Sequence, residues 1–225
     1  MCGRFTLNTT GEAIAAQFDV DSVLDPRPRY NIAPTDEASV VREPDAGDRE
    51  LSELRWGLVP FWADDPSIGN KMINARAETA PDKPAFRDAF RKRRCIVPAS
   101  GFYEWAETDD GKQPYWVHPS EDELWGFAGL WERWSDEQTG EILETFAILT
   151  GEPNDAVAQL HDRMPVILQR ESYDVWLRPG DTDPDSVWEL AQRTYPSSKV
   201  AAHPVSTRVN NPRFDEPSAI EPLDT

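Results

Sequence analysis

The sequence predicts a single α+β domain built on a curved, mostly antiparallel sheet with short flanking helices. Three observations point there: short β-type runs dominate, the 20 prolines are spread along the whole chain, and strands do not alternate regularly with helices. Dispersed proline interrupts long helices and favours short elements joined by tight turns. Irregular alternation disfavours a doubly wound parallel sheet.

Taken in order, GRFTL at the amino-terminal end reads as a strand, and Thr10 stands where an N-cap would start a helix over residues 12–18. LRWGLVPF is a strand candidate, and residues 84–93 pair Phe86 with Phe90 at helical spacing. CIVPA, GFYEW and PYWVH follow, the last two flanking Asp110-Gly111, a hairpin signal in a loop read as longer than two residues. LWGFAGLWERW and ETFAILT read as a second hairpin turning at Thr139-Gly140, and MPVIL as one more strand. Residues 154–161 and 186–193 have the spacing of short amphipathic helices, with another over 174–177. From Asn210 onward the chain is proline-rich and acidic, and is expected to run over the surface. The domain is placed at residues 1–222, with 223–225 as a tail.

Composition removes several functional classes. Hydrophobic residues make up 39%, with nine Trp, so the chain has the material for a core and does not resemble a disordered one. No apolar run reaches the roughly 20 residues that span a bilayer, and MCGRFTLNTTGEA lacks the parts of a signal peptide. A cytoplasmic protein without a membrane partner is expected. The formal net charge is −18, yet residues 87–94 (RDAFRKRR) carry five basic groups and one acidic. Acidity of this kind suits a salty cytoplasm, and a local basic groove remains compatible with it. With no surface heptad or apolar patch in the pattern, a monomer is expected. No Cys/His cluster has ligand spacing, so neither a metal nor a cofactor is implied. Cys95, in an apolar run, reads as a small buried hydrophobe.

Cys2 directly follows the initiator. Once Met1 is removed, an amine titrating near pH 8 and a thiol near 8.5 stand on one residue. An aldehyde would condense with the amine, and the thiol would close the imine into a five-membered thiazolidine. Taken by itself, position 2 reads more readily as a merely tolerated small residue. Glu104, between Tyr103 and Trp105, either faces solvent or sits in a low-dielectric site where its pKa rises. His161 falls at the end of the 154–161 helical pattern, a place that favours an imidazolium for oxyanion stabilisation or proton shuttling, or else simply a packed or capping histidine. His118 and His203 read as structural.

MCGRF, YNIAPT, RWGLVPFWA, INARAET, FRKRRCIVPASGFYEW, FAGLWERW, AILTGEPN, LHDRMPVIL and VSTRVNNPR, in this order, resemble the SRAP family, named for SOS response-associated peptidase. The resemblance runs from Cys2 to about Pro222. Two departures are Pro153, where the family commonly has Ala, and the overall acidity. The resemblance implies a barrel-like sheet and a protein that shields abasic sites in single-stranded DNA by covalent attachment. Laid on this chain, it makes Cys2 the nucleophile, Asn74 a holder of the terminal amine or the sugar, Glu104 a proton carrier and His161 the group that stabilises the opened sugar. Arg4, Arg76 and Arg163 become DNA contacts, phosphate contacts in the case of Arg4 and Arg76, and Trp56, Phe61 and Trp62 stacking or wedging residues. The alternatives are a cysteine peptidase using Cys2 and His161, or a non-catalytic interaction module.

Overall fold

The computed structural model describes residues 2–21, 24–44, 49–109, 111–121, 124–180 and 183–223. In chain order its strands are Phe5–Leu7 (β1), Arg29–Ile32 (β2), Glu37–Arg42 (β3), Glu50–Trp56 (β4), Asn74–Arg76 (β5), Arg94–Ala99 (β6), Gly101–Thr108 (β7), Gly111–Pro119 (β8), Trp125–Ser135 (β9), Ile142–Gly151 (β10), Met164–Pro165 (β11), Ile167–Leu168 (β12) and Val200–Pro204 (β13). Helices cover Gly11–Phe18 (α1), Arg87–Lys92 (α2), Tyr173–Leu177 (α3) and Pro184–Gln192 (α4).

Strands β10, β4, β3, β6 and β9 pair in that order, and β9 pairs back onto β10, closing a five-stranded barrel. Its pairings are antiparallel except β10 with β4. Closure leaves no open edge within that ring, which removes the usual route to edge-to-edge association. A second sheet runs β13–β8–β7–β1–β2. The two are joined covalently, because β6 passes into β7 with only Ser100 between them. The expected α+β class with a mostly antiparallel, barrel-like sheet is therefore observed.

The core lies inside the barrel and under the second sheet. Phe5 meets Trp56 edge-on at 5.1 Å between ring centroids and Phe127 at 6.4 Å, while Trp56 stacks on Phe146 at 6.3 Å. Phe102 joins the same group through Phe127 and Trp125. Edge-to-face and offset contacts at these separations suit the ring quadrupole. Cys95 is fully buried in β6, as its apolar run implied.

Several local expectations need correction. Residues 154–161 form a series of hydrogen-bonded turns rather than a helix: the Asn154 carbonyl accepts from the Val157 and Ala158 amides, and the Val157 carbonyl from Leu160 and His161. The LRWGLVPF strand stops at Trp56, because Gly57 takes φ +127° and its backbone touches that of Gly69, where a Cβ would sit 2.6 Å from the Gly69 carbonyl oxygen. The β7–β8 hairpin is tighter than expected, since pairing continues to Thr108 opposite Gly111. Asp110 itself lies outside the described residues. MPVIL divides into β11 and β12. The segment after Asn210 is tied down more firmly than a surface run, with Phe214 and Ala219 buried.

Phe127 bridges barrel and second sheet, so its truncation removes contacts to both. Phe127→Ala is expected to lower unfolding free energy by about 3–5 kcal/mol, measured by urea denaturation. A loss under 1 kcal/mol would show that the two layers are held by something else.

Candidate active site

Antiparallel pairing of β1 with β7 sets Phe5 opposite Phe102, and the Tyr103 amide donates to the Arg4 carbonyl at 3.0 Å. Continuing that register leads the start of the chain past Glu104. Cys2 is fully buried there, its Sγ 3.7 Å from the Arg4 carbonyl oxygen. From the other side β5, lying parallel on β10, presents Asn74, whose Nδ2 donates to the Cys2 carbonyl at 2.7 Å. The Asn74 Oδ1 is buried and has no hydrogen-bond partner among the described residues.

Electrostatics tie these groups together. Burial pushes the Glu104 carboxyl up to about 7, opposed by the terminal ammonium of the chain, and only 3% of the residue is exposed. The Cys2 thiol is also pushed up, first by burial and then by the Glu104 charge. His161 goes the other way. Desolvation and the terminal ammonium hold its imidazole below the ordinary histidine range, against the opposing pull of Asp162. The helix that was expected to favour an imidazolium is absent, and with it that expectation. Cys2, Asn74, Glu104 and His161, drawn from four separate parts of the sequence, thus surround or act on the chain terminus.

The expected DNA contacts separate into three kinds. Arg76 is exposed, and Phe61 and Trp62 present 53% and 49% of their surface. Arg4 and Arg163 are committed within the protein. Arg4 donates to Asn31 Oδ1 at 3.0 Å and to the Val209 carbonyl at 2.9 Å. Arg163 donates to both Glu78 oxygens at 2.6 and 2.8 Å and to the Thr150 carbonyl at 2.5 Å. A phosphate contact at either arginine would have to displace these partners. Trp56 is a correction: it has no exposed surface, donates its Nε1 hydrogen to the Ile73 carbonyl at 2.8 Å, and belongs to the core. Among the described residues, no group of His, Cys, Asp and Glu has the arrangement of a metal site, and no helix is long and apolar enough to cross a membrane.

Over residues 1–212 the sequence matches the family described as SOS response associated peptidase (SRAP). The chain belongs to the SRAP family. It is 43% identical to the abasic site processing protein YoqW of Bacillus subtilis, over 98% of this chain and 99% of that protein. Similarity extends to the abasic site processing protein HMCES of Gallus gallus, 34% identical over 88% of this chain and 67% of the other. A solved structure from Bacteroides thetaiotaomicron, 27% identical, superimposes with a TM-score of 0.86 over 99% of this chain and 100% of that one.

Residues that no motif in this SRAP chain singles out brace the segments around the site. Asn31 is buried and donates through Nδ2 to the carbonyls of Val209, Asn211 and Phe214, while Asp215 accepts from the Tyr30 and Asn31 amides and pairs with Arg29. Trp105 donates to Asn210 Oδ1 at 2.7 Å. Glu78, the partner of Arg163, lies in the NARAET segment. In a single sequence nothing signals partners more than 80 positions apart.

The buried carboxyl makes a signed prediction. The folded protein binds the Glu104 proton more tightly than the unfolded chain does, so its stabilising contribution is complete at low pH and is lost as pH rises through about 7. The difference between wild type and Glu104→Gln should therefore change by roughly 2–3 kcal/mol between pH 5 and pH 8. Urea midpoints at the two pH values measure it, and parallel pH profiles for the two proteins would refute the buried, proton-holding Glu104.

Proposed function

We propose that this protein processes abasic sites in single-stranded DNA by covalent capture at its amino terminus. Removal of Met1, by an aminopeptidase or by the protein itself, frees the α-amine of Cys2. That amine condenses with the ring-opened aldehyde of the abasic deoxyribose, forming a C=N bond and releasing water. The Cys2 thiol then adds across the imine, its sulfur bonding to carbon and its proton passing to nitrogen, to give a thiazolidine. The lesion is shielded by the protein that now carries it.

The observation that carries this reading is the environment of the terminus. Asn74 anchors the Cys2 carbonyl, and its Oδ1, without a hydrogen-bond partner among the described residues, offers an acceptor for a newly freed amine. Glu104, with its pKa pushed to about 7, is suited to take a proton in one step and return it in another at neutral pH. His161, biased toward its neutral form by desolvation and the terminal ammonium, suits a hydrogen-bond donor to the opened sugar. A cysteine peptidase instead needs a thiolate, stabilised by a lowered pKa or an imidazolium partner. Here the thiol is pushed upward, which favours chemistry that begins at the amine.

DNA would be held chiefly by contacts that tolerate the chain's acidity. Exposed Phe61 and Trp62 provide stacking surface, and Arg76 is the exposed cation among the proposed contacts. Stacking is worth about 1–3 kcal/mol per base and is insensitive to salt compared with phosphate pairing. Replacing Phe61 and Trp62 with Ala should weaken non-covalent binding of a single-stranded oligonucleotide roughly 5- to 150-fold each. Fluorescence anisotropy reads this, and unchanged affinity would remove them from the interface.

A denaturing gel with an abasic oligonucleotide tests the central reaction. The mature protein should give a band that survives denaturant. Cys2→Ser, with its amine free, should give only a labile adduct, and a chain retaining residues before Cys2 should give none. A durable adduct from the extended chain would overturn the thiazolidine mechanism.

A further inference from the structure

The imidazole of His161 sits between two partners that require opposite protonation of the same nitrogen. The Arg163 main-chain amide donates to Nδ1 at 3.0 Å, a contact that needs Nδ1 bare. Asp162 places Oδ1 2.8 Å from that nitrogen, a contact that needs Nδ1 protonated. An imidazole tautomer is set by whichever partner its other nitrogen is given. The choice here depends on how firmly residue 163 is held.

It is held from both sides. Arg163 reaches Glu78 with two nitrogens in a fork, at 2.6 and 2.8 Å, and binds the Thr150 carbonyl with one of them at 2.5 Å. The guanidinium is largely covered, with 15% of the side chain exposed, and paired hydrogen-bonded geometry of this type is the strong form of the interaction. Thr150 is itself fixed in β10, opposite Arg76 of β5, and its carbonyl also accepts from the Ala77 amide at 2.9 Å. One residue later, Met164 enters β11 opposite Gly151. The amide that addresses His161 is thus clamped between a partly covered, forked ion pair and a strand. Asp162, by contrast, is exposed over 86% of its side chain and has no such anchorage.

We infer that Glu78 is a positioning residue for the active site: by anchoring Arg163 it presses the residue 163 amide onto His161 Nδ1 and selects the tautomer whose proton is on Nε2. The Nε2–H is thereby directed to the far edge of the ring, where a sugar oxygen or the leaving hydroxyl would accept a hydrogen bond from it. Asp162 is the competing partner, drawing the proton to Nδ1 whenever the clamp loosens. Other charges acting on the ring are the terminal ammonium and Lys112, both of which oppose a second proton. This role deepens the abasic-site reading, and its consequence for rate rests on that reading. The tautomer claim does not.

Two variants with opposite expectations test it. In ¹⁵N-histidine-labelled protein, the His161 ring signals at neutral pH should report Nε2–H in the wild type. Glu78→Gln should shift them toward Nδ1–H, and Asp162→Asn should leave Nε2–H or strengthen it. On the denaturing gel Glu78→Gln should slow adduct formation roughly 10-fold, with non-covalent affinity for the same oligonucleotide retained, while Glu78→Asp restores part of the rate. Unchanged ¹⁵N signals in Glu78→Gln would overturn the inference, as would a rate loss matched by a fall in Tm with the tautomer intact. A wild type that forms no durable adduct would sink the proposed function, yet the ring signals would still decide the clamp.

Discussion

A chain terminus is ordinarily the most solvated part of a protein, because its charge is costly to bury and its backbone has few partners. Here the β1–β7 pairing reverses that. Phe5 opposite Phe102, with the Tyr103 amide on the Arg4 carbonyl, draws the first residues under the second sheet until Cys2 has no exposed surface. Every special property of the site follows from that burial. The same low-dielectric surroundings that raise the Glu104 carboxyl also raise the thiol and lower the imidazole. One physical cause shifts all three groups toward their neutral forms. A terminal cation among them is what keeps the carboxyl from moving further.

Holding Cys2 in a buried position demands rigid walls, and the barrel provides them. β5 is only three residues long, too short to hold itself, but it lies along β10, which is also the strand that closes the ring. Asn74 therefore meets Cys2 from an element fixed by the barrel. The 209–215 segment is bound by Arg4 and Asn31 and, through Asp215, by the Tyr30 and Asn31 amides. The acidic surplus of the chain does not reach this region as a uniform field. Its carboxylates are partly consumed by arginine pairs such as Arg29 with Asp36 and Asp215, and Arg42 with Glu50 and Glu144. Arginine suits these partly buried pairs because its planar fork satisfies carboxylate geometry directly.

What the sequence disclosed followed the range of the interactions involved. The α1 cap was legible because Thr10 and the Ala13 amide it accepts from are three residues apart. The β9–β10 hairpin was legible because Gly140, at φ +73°, sits at its turn. Barrel closure was not, since it depends on residue 55 meeting residue 145 in a parallel register. The 154–161 pattern misled for a related reason. Val157 is buried at helical spacing, but Asn154 caps the turn with its side-chain oxygen on the Val157 amide and spends its Nδ2 on the distant Tyr195 carbonyl, so the segment is held by a tertiary contact rather than by propagation of a helix. Trp56 and Trp62 look alike as letters, yet one precedes Gly57 and ends a barrel strand while the other follows Pro60 onto the surface. The residues proposed for the site stand out by their chemistry and by family resemblance. Their mutual support, through Glu78 and Arg163, belongs to the tertiary structure alone.

Burial also bears on selectivity under the proposed reaction. A recessed nucleophile disfavours an intact nucleotide, whose base would have to enter the protein along with its sugar. A sugar without a base is smaller by a whole ring system, and in its open form it presents an aldehyde at the end of a flexible chain. Admission by size would then come before any chemical discrimination. The second filter is the amine itself, because an intact glycosidic carbon offers no carbonyl for it to attack. A buried thiol with a raised pKa adds a third safeguard: it remains a poor nucleophile toward disulfides and other electrophiles until an imine is already formed within bonding distance. High effective concentration then compensates for low intrinsic reactivity. If the proposed reaction holds, the burial that weakens the cysteine as a general nucleophile also narrows what it reacts with.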